Sequence, residues 1–335
     1  MRYPALFQIN TRVWLTELGR RLGRPATLDD IPDDDLDRLA GRRFDWIWLL
    51  SVWQTGPAGQ RVSRRQPEWL AEFGQTLPDL QEEDIAGSGF AITSYTVHRL
   101  LGGDAALARL RTRLQKRGMR LMLDFVPNHT GLDHEWVESH PEYFVAGTEE
   151  DRRREPHNYI RIANPGGGHA TFAYGRDPYF SGWPDTLQLD YSNPGTQRAM
   201  AGELTRIAGQ CDGVRCDMAM LVLPEVIART WGHRSNPIDG SSAVDGSFWP
   251  EAIERVRRER GSRPRLVVVF HEAGELVLII EPRVEMLAHR PSVALEEAVV
   301  QPFVVGVIES LLLHRPFPIP VDLGHEQEIR MLPPH

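Results

Sequence analysis

The stretch 211–217, Cys-Asp-Gly-Val-Arg-Cys-Asp, constrains the fold most, because it places charge inside a strand pattern. It is short, apolar at alternate positions and preceded by a helical pattern, as is typical of a buried strand in a βα unit. Residues two apart in a strand share a face, so Gly213, Arg215 and Asp217 are predicted to point the same way. A guanidinium beside a carboxylate keeps that carboxylate ionised. At the C-terminal end of a barrel strand such a carboxylate is placed to act as a nucleophile, although a structural Arg–Asp pair gives the same pattern.

Strand and helix patterns alternate along the chain around this stretch. Apolar runs predict strands over 5–9, 44–50, 119–126, 211–217 and 265–271. Helical spacing predicts helices after Asn10, over 33–40, between Asp104 and Gly118, from Asn193 onward and over 247–260. Such alternation implies parallel βα units. Five units with long loops after strands two and three favour a (β/α) barrel over an open doubly wound sheet. No Gly-x-Gly-x-x-Gly follows the first strand, which disfavours a dinucleotide fold.

Two long excursions interrupt the alternation. Residues 54–94 are rich in Gly, Pro and Gln and are predicted to form a long polar loop, which in a compact domain tends to be functional. Residues 131–190 hold Pro, Gly, His, Trp and Tyr with little regular pattern, so they are predicted to form a small inserted subdomain. The predicted domains are therefore barrel units over 1–130, an insert over 131–190, two further barrel units over 191–272 and an atypical tail over 273–335.

Composition limits the classes of function. The 335 residues are 41% hydrophobic and 25% charged, which suits a soluble globular protein with a large core. A net charge of −8 without a basic block argues against a nucleic-acid partner. No signal peptide is evident and no apolar run is long enough to span a bilayer, so no membrane partner is expected. Cys211 and Cys216 lie on opposite faces of one strand, so we expect no disulfide and a cytoplasmic protein.

The ends of three predicted strands carry polar residues, and together these resemble a known enzyme family. The third strand ends in Asp124-Phe125-Val126-Pro127-Asn128-His129, the fourth carries Arg215 and Asp217, and Glu272 closes the fifth. These motifs resemble glycoside hydrolase family 13, the alpha-amylase family, whose signatures are Asp-x-x-x-Asn-His, Gly-x-Arg-x-Asp and a strand-five Glu in that order. The resemblance covers about residues 1–272. It implies an α/β fold of the (β/α)8 TIM-barrel type with a small domain B inserted after strand 3.

The resemblance implies a role for each motif residue. Asp217 corresponds to the nucleophile that forms a covalent glycosyl–enzyme intermediate, and Glu272 to the acid/base. In a retaining glycosidase these two carboxyl groups lie about 5–5.5 Å apart. Arg215 would keep Asp217 charged and oriented.

Four further residues receive binding or bracing roles from the same resemblance. His129 would hydrogen-bond sugar hydroxyls, Asp124 would brace the strand-end network, and Tyr95 would stack under a sugar ring. Asn128 matches a calcium ligand of many family members. Because the other calcium ligands cannot be assigned in this sequence, no metal or other cofactor is predicted.

Each assignment has a structural alternative. Asp124 and Asn128 could cap a turn, His129 could be a satisfied core histidine, and Tyr95 could be a packing residue. Glu272 is followed by Ala-Gly-Glu rather than by the family's usual aromatic residue, so Glu275 is a rival for the acid/base role.

The chain departs from the family pattern after Glu272. The family's fourth signature, Asn-His-Asp, does not occur there, and the 63 residues that remain (335 less 272) are too few for three more βα units of about 30 residues each. Leu221 also stands where many members have His. We therefore expect a tail from about residue 273 that does not belong to the barrel sequence, as a shifted reading frame or a truncated gene would produce. The barrel is accordingly predicted to be incomplete, with about five βα units.

Three functions follow, in decreasing order of support. The first is a retaining alpha-glycosidase or transglycosylase acting on alpha-glucans or oligosaccharides. The second is an inactive truncated family member or a sugar-binding protein without turnover. The third is a metal-dependent hydrolase built on His129, Asp133 and His134, whose spacing is loose and for which no fourth ligand is evident.

Overall fold

The computed structural model describes residues 4–163, 167–232 and 248–260, together with the strand segments 265–270, 276–279 and 304–306. The helices in these ranges are α1 Thr11–Leu22, α2 Asp33–Gly41, α3 Pro57–Ser63, α4 Pro67–Thr76, α5 Gly103–Gln115, α6 Trp136–Ser139, α7 Glu149–Arg154, α8 Pro194–Gln210, α9 Pro224–Trp231 and α10 Phe248–Arg260. The strands are β1 Ala5–Asn10, β2 Trp46–Leu50, β3 Trp53–Thr55, β4 Ile92–Val97, β5 Arg120–Phe125, β6 His129–Gly131, β7 Ala146–Gly147, β8 Tyr159–Ala163, β9 His169–Ala173, β10 Thr186–Gln188, β11 Gly213–Cys216, β12 Arg265–Phe270, β13 Leu276–Ile279 and β14 Val304–Gly306.

A seven-stranded sheet with the order β13-β12-β11-β5-β2-β1-β14 forms the centre of the molecule. Neighbours from β12 to β14 are parallel, whereas β13 pairs with β12 in the antiparallel sense. The five strands predicted from the sequence are therefore consecutive parallel neighbours, as the βα alternation indicated. Because the order ends at β13 and β14, the described strands form an open sheet rather than a closed barrel.

The central strands are apolar on both faces. Trp46, Ile47 and Leu49 of β2 are buried, as are Leu121 and Leu123 of β5. This is the pattern of a parallel sheet that lies between two layers. The two cysteines are buried and free, which confirms that they form no disulfide.

Two helices begin where their capping residues were predicted. The Asn10 side chain accepts a hydrogen bond from the Val13 amide at the start of α1, and Gly23 ends that helix in the left-handed conformation. The Asn193 side chain likewise caps α8, whose first residue is Pro194. Helix α8 is followed directly in the chain by β11.

The prediction of an irregular loop over 54–94 was wrong. The segment contains β3, α3, α4 and β4, and the two strands pair with each other. Both helices start with proline, at Pro57 and Pro67, which is compatible with the first helical position because that amide has no partner in a helix. The frequent prolines therefore mark helix starts rather than a lack of structure.

The segment predicted to be an insert forms two small antiparallel sheets. One pairs β6 with β10, and the other has the order β7-β9-β8. The pairing of Gln188 in β10 with His129 in β6 brings the end of the insert against the residues that follow β5. No helix of the described residues is long and apolar enough to cross a membrane.

Asp212 attaches the start of β11 to the neighbouring strand and helix. Its carboxylate accepts hydrogen bonds from the Leu121 amide at 2.9 Å and from Nη2 of Arg111 at 2.6 Å. Its own amide donates to the Leu121 carbonyl at 2.8 Å. One carboxylate thereby fixes the position of β11 relative to both β5 and α5.

We expect Asp212→Asn to lower the free energy of unfolding by about 1–3 kcal/mol, because two charge-assisted hydrogen bonds lose their ionic acceptor. Urea denaturation followed by circular dichroism measures this change. Asp79→Asn, which removes an exposed carboxylate, is the matched control and should leave the midpoint unchanged. Equal midpoints for the two variants would show that Asp212 does not anchor β11.

Candidate active site

The ends of β5 and β11 lie side by side and bring the predicted motif residues together. Arg215 is the register partner of Asp124, and the Asp217 amide donates to the Phe125 carbonyl at 2.8 Å. Partners in a parallel pair direct their side chains to the same face of the sheet. Asp124, Arg215 and Asp217 therefore meet at the carboxyl edge of the sheet, where parallel α/β folds place their sites.

The guanidinium of Arg215 lies between the two carboxylates. Its Nη1 donates to Oδ1 of Asp217 at 2.5 Å and lies 3.5 Å from Oδ1 of Asp124. All three side chains are buried, with residue exposures of 8% for Arg215 and Asp217 and 2% for Asp124. The shared face predicted for Arg215 and Asp217 is thus confirmed by their geometry.

Aromatic side chains surround this charge cluster. The guanidinium of Arg215 lies 5.0 Å from the ring of Trp48 and 5.7 Å from that of Phe90. The indole of Trp48 also donates to Oδ2 of Asp124 at 3.1 Å, and that of Trp53 donates to the Asp124 carbonyl at 2.7 Å. The rings contact the guanidinium of Arg215 and exclude water from it. The lower local dielectric constant strengthens its ion pairs with the two carboxylates.

Burial sets the protonation of the cluster. Loss of hydration raises the pKa of Asp124 to about 7, opposed by the charge of Arg215 and by the hydrogen bond from Trp48. Burial also opposes the charge on Arg215, yet the carboxylates of Asp217 and Asp124 together raise its pKa above the ordinary value. Arg215 is therefore a permanent cation, whereas Asp124 is close to half-protonated at neutral pH.

His129 is the first residue of β6, the strand that follows β5 in the chain, and it is buried beside the insert. Its ring meets the ring of Trp183 edge to face, with centroids 5.2 Å apart. A Cβ atom at Gly175 would lie 2.8 Å from Cβ of His129, so only glycine permits the backbone of the insert to approach this closely. Burial lowers the pKa of His129 to about 4, so the imidazole is neutral at pH 7.

A cavity of about 780 Å³ opens beside these residues. Its lining includes Asp217, His129, Trp183 and Asp185 on the side of the sheet and the insert, and Arg12 at the start of α1. Asp124 and Arg215 are not among the described residues that line it. A ligand in this cavity would consequently meet the Asp217 carboxylate, with Arg215 supporting that carboxylate from within the protein.

Helix α4 contributes part of the lining of the cavity. Trp69, Phe73 and Leu77 follow one another at helical spacing and line the cavity together with Glu72 and Thr76. No residue of α4 is buried, so its apolar face is not covered by the core. The face is instead available to a ligand that has apolar surface.

Tyr95 does not reach this cavity. Its ring packs against Trp53 and Phe125, and its hydroxyl donates to the Val126 carbonyl at 3.1 Å and lies 2.9 Å from the Val126 amide. The residue is 4% exposed and is not among the lining residues. This placement favours the packing alternative over a stacking contact with a sugar.

Asn128 is buried next to His129, and its oxygen is already engaged. Oδ1 of Asn128 accepts a hydrogen bond from Nε2 of Gln188 at 3.0 Å. Among the described residues no group of His, Cys, Asp or Glu side chains that could hold a metal ion surrounds this oxygen, so these side chains build no calcium site around Asn128. No chemistry is therefore assigned to a metal.

The residues of the metal-hydrolase alternative are not brought together. The Asp133 carboxylate accepts from the Ala58 amide, and Nδ1 of His134 accepts from the Trp136 amide. Among the described residues no three His, Cys, Asp or Glu side chains form a group that could hold a metal ion. Glu272 and Glu275, the two candidates for the acid/base, lie outside the described residues.

Sequence reasoning did not identify Trp69, Trp183 or Gln188 as parts of the site. Trp69 belongs to the segment 54–94, whose length did signal function, but the helix that carries it was not predicted. Trp183 and Gln188 reach the site through the pairing of β10 with β6, and no local pattern indicates a contact between residues about sixty positions apart.

Comparisons with known proteins find the same family that the sequence motifs resemble. Residues 39–269 match the protein-family model "Alpha amylase, catalytic domain". An alpha-glucosidase of Apis mellifera is 29% identical over 131 residues, which are 35% of this chain and 23% of the relative. An alpha-glucosidase of Culex pipiens is 31% identical over 202 residues, which are 58% of this chain and 29% of the relative.

Solved structures match as well. The crystal structure of an alpha-amylase from Lactobacillus plantarum superposes with a TM-score of 0.48 at 22% identity, over 79% of this chain and 44% of that chain. The matches thus span less than a third of either curated relative and less than half of this solved structure.

The raised pKa of Asp124 predicts a specific dependence of stability on pH. From about pH 4 to 7 the folded protein holds a proton on Asp124 that the unfolded chain has released, because the ordinary value is 3.8 and the folded value about 7. The contribution of this group to the free energy of unfolding therefore falls as pH rises through that range, by at most about 1.4 kcal/mol per pH unit.

Asp124→Asn removes this titration and leaves His129 and His134 unchanged. We expect the free energy of unfolding of the natural protein, relative to the variant, to decrease from pH 4.5 to 7 and then to level off. Urea denaturation at several pH values measures the difference, with Glu68→Gln as the control for a surface carboxylate. A difference that stays constant or rises with pH would contradict the assigned protonation.

Proposed function

The chain belongs to the alpha-amylase family, and on that premise we propose that it is a retaining glycoside hydrolase or transglycosylase acting on alpha-glucans or alpha-linked oligosaccharides. The observation that carries the proposal is the pair formed by Arg215 and Asp217. The pair presents one ionised carboxylate to a cavity that is large enough for a sugar ligand, and it holds that carboxylate in a single orientation.

In the proposed first step the Asp217 carboxylate attacks the anomeric carbon of the bound sugar. A carbon–oxygen bond forms to Asp217 as the glycosidic bond breaks, and the departing oxygen takes a proton from a carboxylic acid. The sequence assigns this acid to Glu272, so the role stays a prediction. In the second step water or a sugar hydroxyl attacks the glycosyl–enzyme ester, gives its proton to the same group and releases Asp217.

Arg215 is proposed to position the nucleophile Asp217 and to pair with its charge. Its short hydrogen bond orients Asp217 before attack, and its positive charge pairs with that side chain. Asp124 lies on the other side of the guanidinium and braces it there. Because Asp124 is only partly ionised near neutral pH, it does not fully compete with Asp217 for the positive charge.

His129 is proposed to bind the sugar rather than to transfer a proton. Its lowered pKa keeps the imidazole neutral, so it can donate one hydrogen bond to a sugar hydroxyl in the cavity. Trp69 and Phe73 on α4 are proposed to contact the apolar faces of sugar rings, which carry C–H groups. The two walls of the cavity would then recognise the polar edges and the apolar faces of the same ligand.

The proposal includes the domain arrangement predicted from the sequence. Residues 1–130 and 191–272 would supply barrel units around the insert 131–190, and 273–335 would be a tail foreign to the barrel. The family match ends at residue 269, which is consistent with such a tail. Reading the DNA downstream of codon 272 in all three frames tests this part: an Asn-His-Asp in another frame supports a frame shift.

A sugar-binding protein without turnover is the second candidate. It is favoured by the end of the family match at residue 269, before Glu272. Such a protein would keep the cavity, Trp69 and His129 but would not need Asp217 as a nucleophile.

Asp217→Asn separates the two candidates. If the chain is a retaining enzyme, maltotriose cleavage should fall by about 10⁴-fold or more, because the amide cannot form the glycosyl ester, while maltotriose binding persists. Product formation and isothermal titration calorimetry measure the two quantities, with Asp79→Asn as the control variant. Binding without cleavage in the natural protein, unchanged in Asp217→Asn, would favour the binding protein. No binding by the natural protein would contradict both candidates.

Trp69→Ala tests the apolar wall. We expect the dissociation constant for maltotriose to rise about five- to tenfold, because the largest ring on α4 is lost from the cavity. Phe180→Ala is the matched control, since Phe180 is an aromatic residue that is 73% exposed and does not line the cavity. Equal affinities for the natural protein and Trp69→Ala would show that sugars do not use this wall.

A further inference from the structure

Two buried amide side chains connect strand β10 of the inserted segment to His129. Gln188 and Asn128 are 2% and 1% exposed, so neither can exchange its protein partners for water. Nε2 of Gln188 lies 3.0 Å from Oδ1 of Asn128, and Nδ2 of Asn128 lies 3.3 Å from Nδ1 of His129. The three side chains therefore form one continuous path that ends at a residue lining the cavity.

Backbone groups determine which end of the Gln188 amide is the donor. The Arg176 amide can only donate, and it lies 3.3 Å from Oε1 of Gln188. The carbonyls of Asn128 and Leu189 can only accept, and they lie 3.0 and 3.2 Å from Nε2. Reversing the Gln188 amide would set donor against donor and acceptor against acceptor, so its orientation is fixed without reference to any side chain.

The orientation of Asn128 follows from that of Gln188. The two N–H groups of Gln188 Nε2 serve three oxygens, so one N–H is shared between two of them. Because Nε2 can only donate, the Asn128 atom that faces it must be the oxygen, which leaves Nδ2 facing His129. An amide nitrogen cannot accept a hydrogen bond, so Nδ1 of His129 must be the acceptor. In a neutral imidazole the remaining proton then resides on Nε2.

We propose that Gln188 is a positioning residue that, through Asn128, fixes His129 in the Nε2–H tautomer. Nε2–H, which is then also the donor in the contact of His129 with the Phe90 backbone, is the ring proton that a ligand in the cavity would meet. The identity of that ligand as a sugar, whose hydroxyl oxygen accepts the bond, rests on the proposed function. The inserted segment thereby sets which nitrogen of His129, four residues beyond the end of β5, carries the proton. Trp183, from the same segment, restricts the ring from its side.

Gln188→Glu is the sharpest perturbation, because it keeps the size of the side chain and replaces the donor by an acceptor. Asn128 must then turn its Nδ2 toward the new carboxylate and its Oδ1 toward His129. Nδ1 of His129 must carry a proton to meet that oxygen, so Nε2 loses its proton or the ring becomes doubly protonated. Asn128→Asp also places a carboxylate oxygen opposite Nδ1 of His129, so Nδ1 must again carry a proton.

Nitrogen-15 NMR of the full chain reads the tautomer directly. Long-range ¹H–¹⁵N spectra at pH 7.5, assigned with a His129→Asn variant, should show an unprotonated Nδ1 and a protonated Nε2 in the natural protein. Gln188→Glu and Asn128→Asp should each give a protonated Nδ1. Gln54→Glu is the matched control, because the side-chain amide of Gln54, in β3, also accepts from a backbone amide and donates to a carbonyl.

Maltotriose titration of the same samples separates this inference from the proposed function. We expect about tenfold weaker binding by Gln188→Glu and an unchanged dissociation constant for Gln54→Glu. A natural protein with Nδ1 protonated, or a tautomer that neither variant changes, would overturn the positioning role even if maltotriose binds. The expected tautomers without any maltotriose binding would support the positioning role and contradict the proposed function. If Gln188→Glu does not fold, Asn128→Asp and the spectrum of the natural protein decide the matter.

Discussion

The ion pair between Arg215 and Asp217 is the interaction on which the rest of the site depends. Placing a carboxylate inside a sheet edge is costly unless a cation and hydrogen bonds compensate for the lost hydration. Here one guanidinium serves two carboxylates, while Trp48 and Phe90 cover its faces. The arrangement places Asp217 at the cavity beside a cation, while burial raises the pKa of the deeper acid, Asp124, to about 7. The same residues therefore explain the stability, the charge and the proposed reactivity of this edge.

Strand alternation made part of this site predictable. The parity of residues 211–217 placed Arg215 and Asp217 on one face, and the order of the apolar runs placed β5 beside β11. These predictions succeeded because a buried parallel strand has a strict two-residue period and a nearly continuous apolar sequence. Burial of a single residue was less predictable: Tyr95 matches a family position, yet its hydroxyl satisfies the backbone of Val126 in the core.

Elements without a strong period were not found from the sequence. Helix α4 has an apolar face that no core residue covers, and prolines at its start and in α3 gave the segment the composition of a loop. The contact of Gln188 with Asn128 spans sixty positions and depends on the pairing of two three-residue strands. Such pairing follows from the assembled molecule rather than from local propensity, so hydrogen-bonded amides of this kind are visible only in three dimensions.

The two sides of the cavity are attached to the protein very differently. On one side the pairing of β6 with β10, the contact of Trp183 with His129 and the close approach at Gly175 hold the insert against the sheet. On the other side α4 contributes no buried residue. Local opening requires least free energy where the fewest apolar groups are buried. A ligand would therefore enter and leave the cavity by displacement of α4, while the inserted segment stays in place.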